Sequence, residues 1–220
     1  MSRRFDEIAH AGPEHLDADF VGAFDERMPR DWSSDVATLL AFGVGPTSTV
    51  VDLGAGTGTF AQAIARHVSR VVAVDVSQAM VAAMRARGVQ AVHAGFLSYE
   101  HEGEAPHAVF TSNAMHHLPD FWKMIALARV AGMLRPGGVL RLRDFVYSFE
   151  PHEADQVLAA WLEAELAQGW TAHELEEHIL NEHSTFTWLL ERMLERAGFE
   201  IRERSVREDR VHATYTCVLL

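Results

Sequence analysis

Cysteine is nearly absent from this chain: Cys217 is the only one among 220 residues. A single cysteine cannot form an intramolecular disulfide, which excludes the disulfide-stapled secreted folds and makes a reducing cytoplasm the expected location. Cys217 lies in the alternating apolar stretch VHATYTCVLL. We therefore interpret it as a small buried hydrophobic residue rather than a nucleophile.

Long apolar runs are also missing from the sequence. No stretch approaches the roughly 18 apolar residues that a membrane span requires, and the start, MSRRFDEIAH, lacks the apolar core of a signal peptide. The sequence therefore predicts a cytoplasmic protein with neither a membrane partner nor a secretion signal.

Basic residues are scarce relative to acidic ones. The chain has 19 Lys and Arg against 31 Asp and Glu, a formal net charge of −12 at pH 7. An acidic surface repels a phosphate backbone, so DNA and RNA are not expected as partners. The nearest thing to a basic patch is Arg135, Arg141 and Arg143. The expected ligand is a small neutral, cationic or zwitterionic molecule.

Apolar runs and amphipathic segments alternate along the first 150 residues. Expected strands are 48–53, 71–76, 90–96, 107–113 and 139–149, and expected helices are 33–42, 59–67, 77–88 and 120–134. The expected N-caps are Ser33 or Ser34, Ser77 and Asp120. This alternation predicts a doubly wound, Rossmann-like α/β sheet with parallel strands.

The pattern changes after residue 150. Residues 152–182 are expected to form two helices, an insertion above the sheet, and residues 184–197 a further helix that ends at Gly198. The last two apolar stretches, FEIRERSV and VHATYTCVLL, are joined only by REDR. Because this connection is too short for a crossover helix, it predicts an antiparallel hairpin at the sheet edge.

The stretch VVDLGAGTGTF, residues 50–60, joins the first expected strand to its helix. Glycines in such a turn permit positive φ and let a ligand lie against bare backbone, at the sheet edge where α/β folds bind ligands. A dinucleotide site would need G-x-G-x-x-G, but the sixth position is Thr59. The pattern is instead D-x-G-x-G-x-G. Its acid, Asp52, suits a cationic amino-acid ligand better than a pyrophosphate.

D-L-G-A-G-T-G resembles motif I of the class I S-adenosylmethionine-dependent methyltransferases. Asp75 after the second strand, the blocks SNAMHHLPDFWK and MLRPGGVLRLRD, and the terminal hairpin extend the likeness over residues 45–220. The chain is most similar to small bacterial enzymes with a type 11 or type 25 methyltransferase domain. The resemblance implies a seven-stranded sheet, mostly parallel with an antiparallel C-terminal strand. It also implies S-adenosylmethionine as methyl donor, S-adenosylhomocysteine as product and a small-molecule acceptor.

The resemblance implies where the donor binds. The expected contacts are the methionine part at Asp52, Gly54, Gly56 and Gly58, the ribose hydroxyls at Asp75, and the ligand's amino group at Asn113. Asp52 as a cap of the next helix is the alternative. Many family members bind the adenine amino group with an acid after the third strand, but AGFLSYE has no acid beside Gly95. Phe96 and Leu97 are therefore assigned to adenine packing or backbone contacts, with plain core as the alternative for Phe96.

His116 and His117 follow Asn113 at the mouth of the expected site. Methyl transfer from a sulfonium needs proximity and in-line geometry, and a base only where the acceptor must lose a proton. Histidine titrates near neutrality and suits that task. Asp144 is expected on the same rim. The alternative for the two histidines is to pack the following helix and satisfy a turn.

Two segments are expected to cover the site. These are an N-terminal lid, residues 1–35, and a helical insertion at 151–183 of a methyltransferase domain that spans 36–220. His15, Asp17 and Phe20 are the candidate lid residues that close over the donor.

The segment HELEEHILNEH contains one candidate set of metal ligands. If it is helical, Glu174, His178 and Glu182 fall on one face at intervals of four residues. Such pairs are equally ordinary on a solvated helix, so no metal is expected.

The sequence leaves two other functions open. A non-catalytic S-adenosylmethionine-binding partner or regulatory protein would keep the ligand and lose the reaction. A NAD-dependent oxidoreductase is disfavoured by Thr59 and Asp52. An apolar face on residues 152–168 suits either a core or an interface, so both a monomer and a homodimer are compatible with the sequence.

Overall fold

A computed structural model describes residues 5–220 and is built around one mixed β-sheet. Its strands are β1 Thr49–Leu53, β2 Arg70–Asp75, β3 Ala91–His93, β4 Ala108–Ser112, β5 Val139–Tyr147, β6 Thr185–Phe186, β7 Phe199–Val206 and β8 His212–Leu219. The α-helices are α1 Ala18–Arg27, α2 Ser33–Ala41, α3 Thr59–Ala65, α4 Gln78–Ala86, α5 Asp120–Met133, α6 Ala154–Ala167, α7 Ala172–Asn181 and α8 Thr187–Arg196. Short 3-10 helices cover Ile8–His10, Pro13–Leu16, Met115–His117 and Pro151–Glu153.

The strands lie in the order β3-β2-β1-β4-β5-β8-β7. Neighbours from β3 to β5 are parallel, whereas β8 is antiparallel to both β5 and β7. The predicted seven-stranded, mostly parallel sheet with an antiparallel C-terminal strand is thus confirmed. The two-residue strand β6, which pairs with β5 outside this path, was not predicted. Its two residues lie within the segment that the sequence assigned to a helix.

Side chains alternate between the two faces of the central strands. Val50 of β1 packs with Trp32, Phe60 and Phe110 under α2 and α3, while Val51 packs on the opposite face towards α5 and α8. The rings of Phe60 and Phe110 stack with their centroids 3.6 Å apart. Because both faces are covered, these strands are apolar at nearly every position, which explains the continuous runs in the sequence.

Two predicted helix caps are wrong. Trp32, not Ser33 or Ser34, precedes α2, and the carboxylate of Asp31 accepts hydrogen bonds from the backbone and hydroxyl of Ser33. Pro119 precedes α5, so Asp120 is the first helical residue. Its side chain accepts instead from Lys123 Nζ at 3.0 Å. The Ser77 cap is confirmed, since its hydroxyl accepts from the backbone of Met80.

The arginines of the supposed basic patch are mostly engaged inside the fold. Asp35 of α2 is buried and accepts hydrogen bonds from Arg141 Nε at 2.9 Å and Arg143 Nη1 at 2.5 Å. Arg141 also donates to the hydroxyl of Thr216 at 2.7 Å. This network attaches α2 to β5 and β8. Removing one partner of such a buried pair typically costs about 3–5 kcal/mol.

The insertion contains the two predicted helices, α6 and α7, and contributes a separate small core. Phe149, Trp161, Leu175 and Val211 are buried there together. The division into a lid of residues 1–35 and a methyltransferase domain of 36–220 stays a prediction. Among the described residues, no helix combines the length and apolarity that crossing a bilayer would require.

The turn after β1 depends on three glycines with positive φ: Gly54 at 69°, Gly56 at 55° and Gly58 at 83°. They differ in the space around them. A Cβ on Gly54 would overlap the Cβ of Ala114, and one on Gly58 would lie 2.8 Å from Met84 Cγ. A Cβ on Gly56 would meet no atom within 4 Å.

We therefore expect Gly54→Ala to destabilise the protein by about 2–5 kcal/mol, because strain in the left-handed region adds to overpacking against β4's end. Gly56→Ala has the same kind of backbone strain without a clash and should cost about 1–2 kcal/mol. Urea unfolding monitored by circular dichroism measures both. Equal losses in the two variants would show that the contact with Ala114 does not constrain the turn.

Candidate active site

A deep cavity opens at the carboxyl ends of β1, β2 and β4, and holds about 1060 Å³ of space when its mouth is included. Cofactor pockets are commonly of this order. The lining from the sheet side comes from the β1–α3 turn, the end of β2, the loop after β3 and the segment after β4. The other wall comes from the N-terminal segment, through residues such as Glu7, His15, Phe24 and Trp32.

Asp52 and Asp75 place two acids at this cavity. Asp52 is 2% exposed, and its Oδ2 has no hydrogen-bond partner among residues 5–220. Burial, and then the charge of Asp75, raise the pKa of Asp52 well above its usual range. A cation in the cavity would relieve both effects.

Asp75 is held by backbone groups. Its carboxylate accepts hydrogen bonds from Gly56 N–H and Ser77 N–H, each at 2.8 Å. Burial nevertheless raises the pKa of Asp75 to about 6, against the lowering effect of these hydrogen bonds. A carboxylate has about four acceptor sites, so sites remain free for a ligand's hydroxyl groups.

The three glycines of the turn differ in whether they line the cavity. Gly54 and Gly56 line the cavity. Gly58 is not among the lining residues; it precedes α3 and lies against Met84. Of the predicted donor contacts, the structure therefore brings six to the cavity: Asp52, Gly54, Gly56, Asp75, Phe96 and Asn113.

A carboxylate from the N-terminal segment lies against the loop after β3, and sequence reasoning missed it. Glu7, from the N-terminal segment, accepts a hydrogen bond from Leu97 N–H at 3.0 Å and lies directly over Gly95. Burial raises the pKa of Glu7 against hydrogen bonds from the Leu97 and Phe96 backbone. Phe96 is 7% exposed and lines the cavity beside it. The only sequence signal was the missing acid beside Gly95, and nothing in the spacing indicates a replacement from residue 7.

The N-terminal segment is tied to the sheet edge by polar contacts. Thr57 donates to Asp25 at 2.6 Å, and Asp25 also pairs with Arg87 of the α4 end. Ser77 donates to the carbonyl oxygen of His15 at 2.6 Å. These contacts hold α1 and the preceding residues over the cavity.

The three candidate lid residues have separate roles. The His15 ring lies edge-on to His117, with centroids 6.1 Å apart, and lines the cavity. Asp17 caps α1 by accepting from the backbone of Asp19 and Phe20. Phe20 packs on His15 at 5.6 Å between centroids and does not line the cavity.

His116 and His117 are adjacent in one 3-10 helix, but the His117 side chain lines the cavity and the His116 side chain is buried behind it. His117 lines the cavity, whereas His116 does not and is 4% exposed. Burial, and then the neighbouring His116, lower the pKa of His117 to about 3. The Asn113 that precedes this turn has a φ of 49° and lines the cavity.

His116 is held between two carboxylates. Its Nδ1 contacts Asp144 Oδ1, and its Nε2 lies 3.2 Å from Glu182 Oε2. Asp144 is 3% exposed and also accepts from the backbone N–H groups of Met115 and His116, at 2.9 and 3.1 Å. Burial lowers the pKa of His116, but the two carboxylates outweigh it and raise that pKa to about 9. Asp144 therefore orients His116 and does not line the cavity.

The three residues that the sequence places on one face of α7 have two different sets of contacts. Glu174 forms a capping box with Thr171 and pairs with Arg27 at 2.7 Å, away from the other two residues of the pattern. His178 and Glu182 instead meet His116. The pattern Glu174, His178 and Glu182 thus does not form one cluster, because Glu174 pairs with Arg27 and Thr171 while His116 joins the other two residues.

Part of this sequence is similar to known methyltransferases. Residues 50–138 match the family described as methyltransferase domain. An uncharacterised methyltransferase of Mycobacterium tuberculosis is 31% identical over 126 residues, which cover 54% of this chain and 63% of the relative. The chain thus spans less than two thirds of the length of this relative.

Solved structures share the fold at low identity. The cyclopropane synthase MmaA2 of Mycobacterium tuberculosis aligns with a TM-score of 0.73 and 14% identity over 99% of this chain and 100% of the other. Magnesium protoporphyrin IX methyltransferase of Synechocystis with bound S-adenosylmethionine aligns with a TM-score of 0.68 and 13% identity over 100% of both chains.

The sheet order, the glycine turn with its neighbouring acids and the matched residues all point the same way. Residues 50–138 match the methyltransferase-domain family, and this match together with the shared fold supports a class I, S-adenosylmethionine-dependent methyltransferase domain.

Proposed function

We propose that this protein transfers the methyl group of S-adenosylmethionine to an O, N, S or C atom of a small-molecule acceptor. The observation that carries the proposal is the pair of acids beside the glycine turn, at the ends of β1 and β2: Asp52 with an unpartnered Oδ2 and Asp75 with free acceptor sites. S-adenosylmethionine presents a ribose diol, an ammonium group and a sulfonium, which match these acceptors in hydrogen bonding and in charge.

Each part of the donor has a counterpart in the cavity. Asp75 accepts from the two ribose hydroxyls, and Asp52 faces the cationic methionine end, near the bare backbone of Gly56. Asn113 binds the ammonium group through its carbonyl or its side chain. Phe96 packs on the adenine. Gly58 acts indirectly, by starting α3 behind the turn.

Glu7 completes the adenine pocket. Many members of the family that the sequence resembles carry an acid beside the residue equivalent to Gly95; here the Glu7 carboxylate lies over that glycine. We assign Glu7 to accept a hydrogen bond from the adenine amino group. The N-terminal segment thereby contributes to donor recognition as well as covering the cavity.

The wall formed by residues 7–32 favours a small acceptor. Phe24, Met28 and Trp32 line this side, and Trp32 is fixed by a 3.0 Å hydrogen bond from its Nε1 to Thr59. A macromolecular acceptor would have to displace this segment together with its bonds to Thr57 and Ser77. The net charge of −12 adds repulsion against nucleic acids.

His117 is the histidine that reaches the acceptor. Since its pKa is lowered to about 3, it stays neutral at physiological pH and orients the acceptor through a hydrogen bond. The sulfonium is already an activated donor, so holding the acceptor atom in line is the main task of the protein. His116 and Asp144 act as positioning residues behind it.

The first test is calorimetric titration with S-adenosylhomocysteine. We expect micromolar binding to the wild type and weakening of about tenfold to a hundredfold in Asp75→Ala, because hydrogen bonds to a charged group contribute about 1.5–3 kcal/mol. NAD should not bind. Binding of NAD, or binding of the nucleoside that is indifferent to Asp75, contradicts the proposed donor site.

Transfer itself is measured with S-adenosylmethionine labelled in the methyl group, against a panel of small alcohols, amines, thiols and carbon acids. Label should pass to at least one acceptor in the wild type, and about tenfold to a hundredfold more slowly in Asp75→Ala at the same donor concentration, set below the wild-type Kd. Tight S-adenosylhomocysteine binding without transfer to any acceptor class favours the non-catalytic binding protein instead.

Donor affinity should depend on pH through Asp75. The free carboxyl takes up a proton as the pH falls through about 6, and the ribose hydroxyls need the carboxylate as acceptor. We therefore expect affinity for S-adenosylhomocysteine to be constant above pH 7 and to fall by about tenfold per pH unit below 6. Asp75→Asn, which cannot ionise, should bind weakly and lose this dependence. The same slope in both variants would assign the titration to another group.

Glu7 can be tested by changing the base. The wild type should prefer S-adenosylhomocysteine to S-inosylhomocysteine by about tenfold or more, because a carboxylate accepts from the adenine amino group and repels the inosine carbonyl. Glu7→Gln should remove or reverse this preference, since its amide can donate. Glu26→Gln, an exposed change on α1, is the matched control. An unchanged preference in Glu7→Gln contradicts the assignment.

A further inference from the structure

Three potential metal ligands from two distant parts of the chain converge beside the cavity. His116 comes from the 3-10 helix after β4, His178 from α7, and Glu182 from the end of α7. One donor atom from each lies within 4.8 Å of the others. His116 Nε2 and Glu182 Oε2 are 3.2 Å apart, and His178 Nδ1 contacts the same oxygen. Ligands bound to one ion at about 2.0–2.2 Å are separated by roughly 3 Å.

We propose that His116, His178 and Glu182 bind a divalent first-row transition-metal ion such as Zn²⁺. The site stands on these three side chains, whatever acceptor the neighbouring cavity takes.

The orientation of His116 is already that of a metal ligand. Asp144 holds its Nδ1, which directs Nε2 towards Glu182. Asp144 is itself fixed by the backbone N–H groups of Met115, His116 and Phe145. A carboxylate behind the imidazole is the usual outer-shell partner of a metal-bound histidine, because it sets the tautomer and the ring direction.

The charges of the cluster call for a dication. Asp144 and Glu182 contribute two negative charges at positions that are 3% and 19% exposed. Lys123 lies nearby but donates to Asp120 and to the carbonyl oxygen of His183. With neutral imidazoles a divalent ion brings the cluster to neutrality, whereas a single imidazolium leaves one negative charge.

Two atoms at the cluster are buried without a hydrogen-bond partner among residues 5–220. These are Glu182 Oε2 and His117 Nδ1. Glu182 Oε2 lies near two imidazole nitrogens, yet neither contact is a hydrogen bond of normal geometry. His117 Nδ1 is 3.8 Å from Glu182 Oε1. An ion coordinated by Oε2 satisfies the first atom, and a water molecule on that ion is within reach of the second.

The donor set selects the metal. Two imidazoles and one carboxylate suit Zn²⁺, Fe²⁺, Co²⁺ or Mn²⁺, whereas Mg²⁺ and Ca²⁺ prefer oxygen ligands alone. Three protein ligands leave a coordination position open. His117 lies between the cluster and the cavity, since its ring lies 4.3 Å from His116 between centroids and also lines the cavity.

The test uses untagged full-length protein, freed of metal with a chelator and titrated with Co²⁺. We expect one equivalent to bind with visible d–d absorption, and Zn²⁺ to displace it and to raise the Tm. His178→Gln and Glu182→Gln should bind at least about a hundredfold more weakly, and Asp144→Asn about 10- to 100-fold. His173→Gln and Glu176→Gln, exposed on the same helix, are the matched controls.

His178→Cys keeps the proposal testable if the other variants fold poorly. A thiolate ligand should restore Co²⁺ binding and add an intense near-ultraviolet charge-transfer band, which a purely structural role for His178 cannot produce. Binding of S-adenosylhomocysteine, measured on each variant, reports the donor site separately. Absence of stoichiometric Co²⁺ and Zn²⁺ binding to the wild type, or binding that survives in both Gln variants, would overturn the metal site.

Discussion

Two acids placed close together at the ends of neighbouring strands are the constraint on which the rest of this structure depends. Asp52 and Asp75 lie at the carboxyl ends of β1 and β2. The turn after β1 brings the Gly56 N–H to Asp75 and leaves Oδ2 of Asp52 without a hydrogen-bond partner among residues 5–220. Only residues that tolerate positive φ allow this, and Gly54 and Gly56 provide it. Burying Asp52 beside Asp75 costs stability in the free protein, as the raised pKa of Asp52 shows. Such a cost is typical of a site whose ligand supplies the missing charge.

The features predicted from the sequence were those that nearby residues determine. The alternation of apolar runs and amphipathic segments depends on periods of two and 3.6 residues, so the sheet, its hairpin and the paired helices α6 and α7 could be predicted. The wrong caps lie at Ser33 and Asp120, where a neighbouring side chain or a proline competes for the same backbone groups. Six proposed donor contacts line the cavity because they sit at strand ends, whose positions follow from the sheet order.

What could not be predicted depends on contacts between distant segments. Glu7 reaches the loop after β3 across 90 residues, and no periodicity indicates which end of the chain will cover a cavity. The pattern on α7 was misleading for the same reason. Spacing along one helix grouped Glu174 with His178, whereas packing pairs Glu174 with Arg27 and leaves His178 to a histidine from β4's end. Helical spacing predicts which residues share a face of a helix. It does not predict which element of the fold packs against that face.

The 3-10 helix Met115–His117 connects the cavity with the buried cluster. With three residues per turn, adjacent side chains point about 120° apart, so His117 lines the cavity while His116 faces Asp144 and Glu182. Asp144 accepts from two backbone N–H groups of this turn as well as contacting the His116 ring. The same carboxylate therefore fixes the backbone that carries His117. The cluster and the cavity wall therefore share one turn of backbone, which Glu182 at the end of α7 contacts through His116.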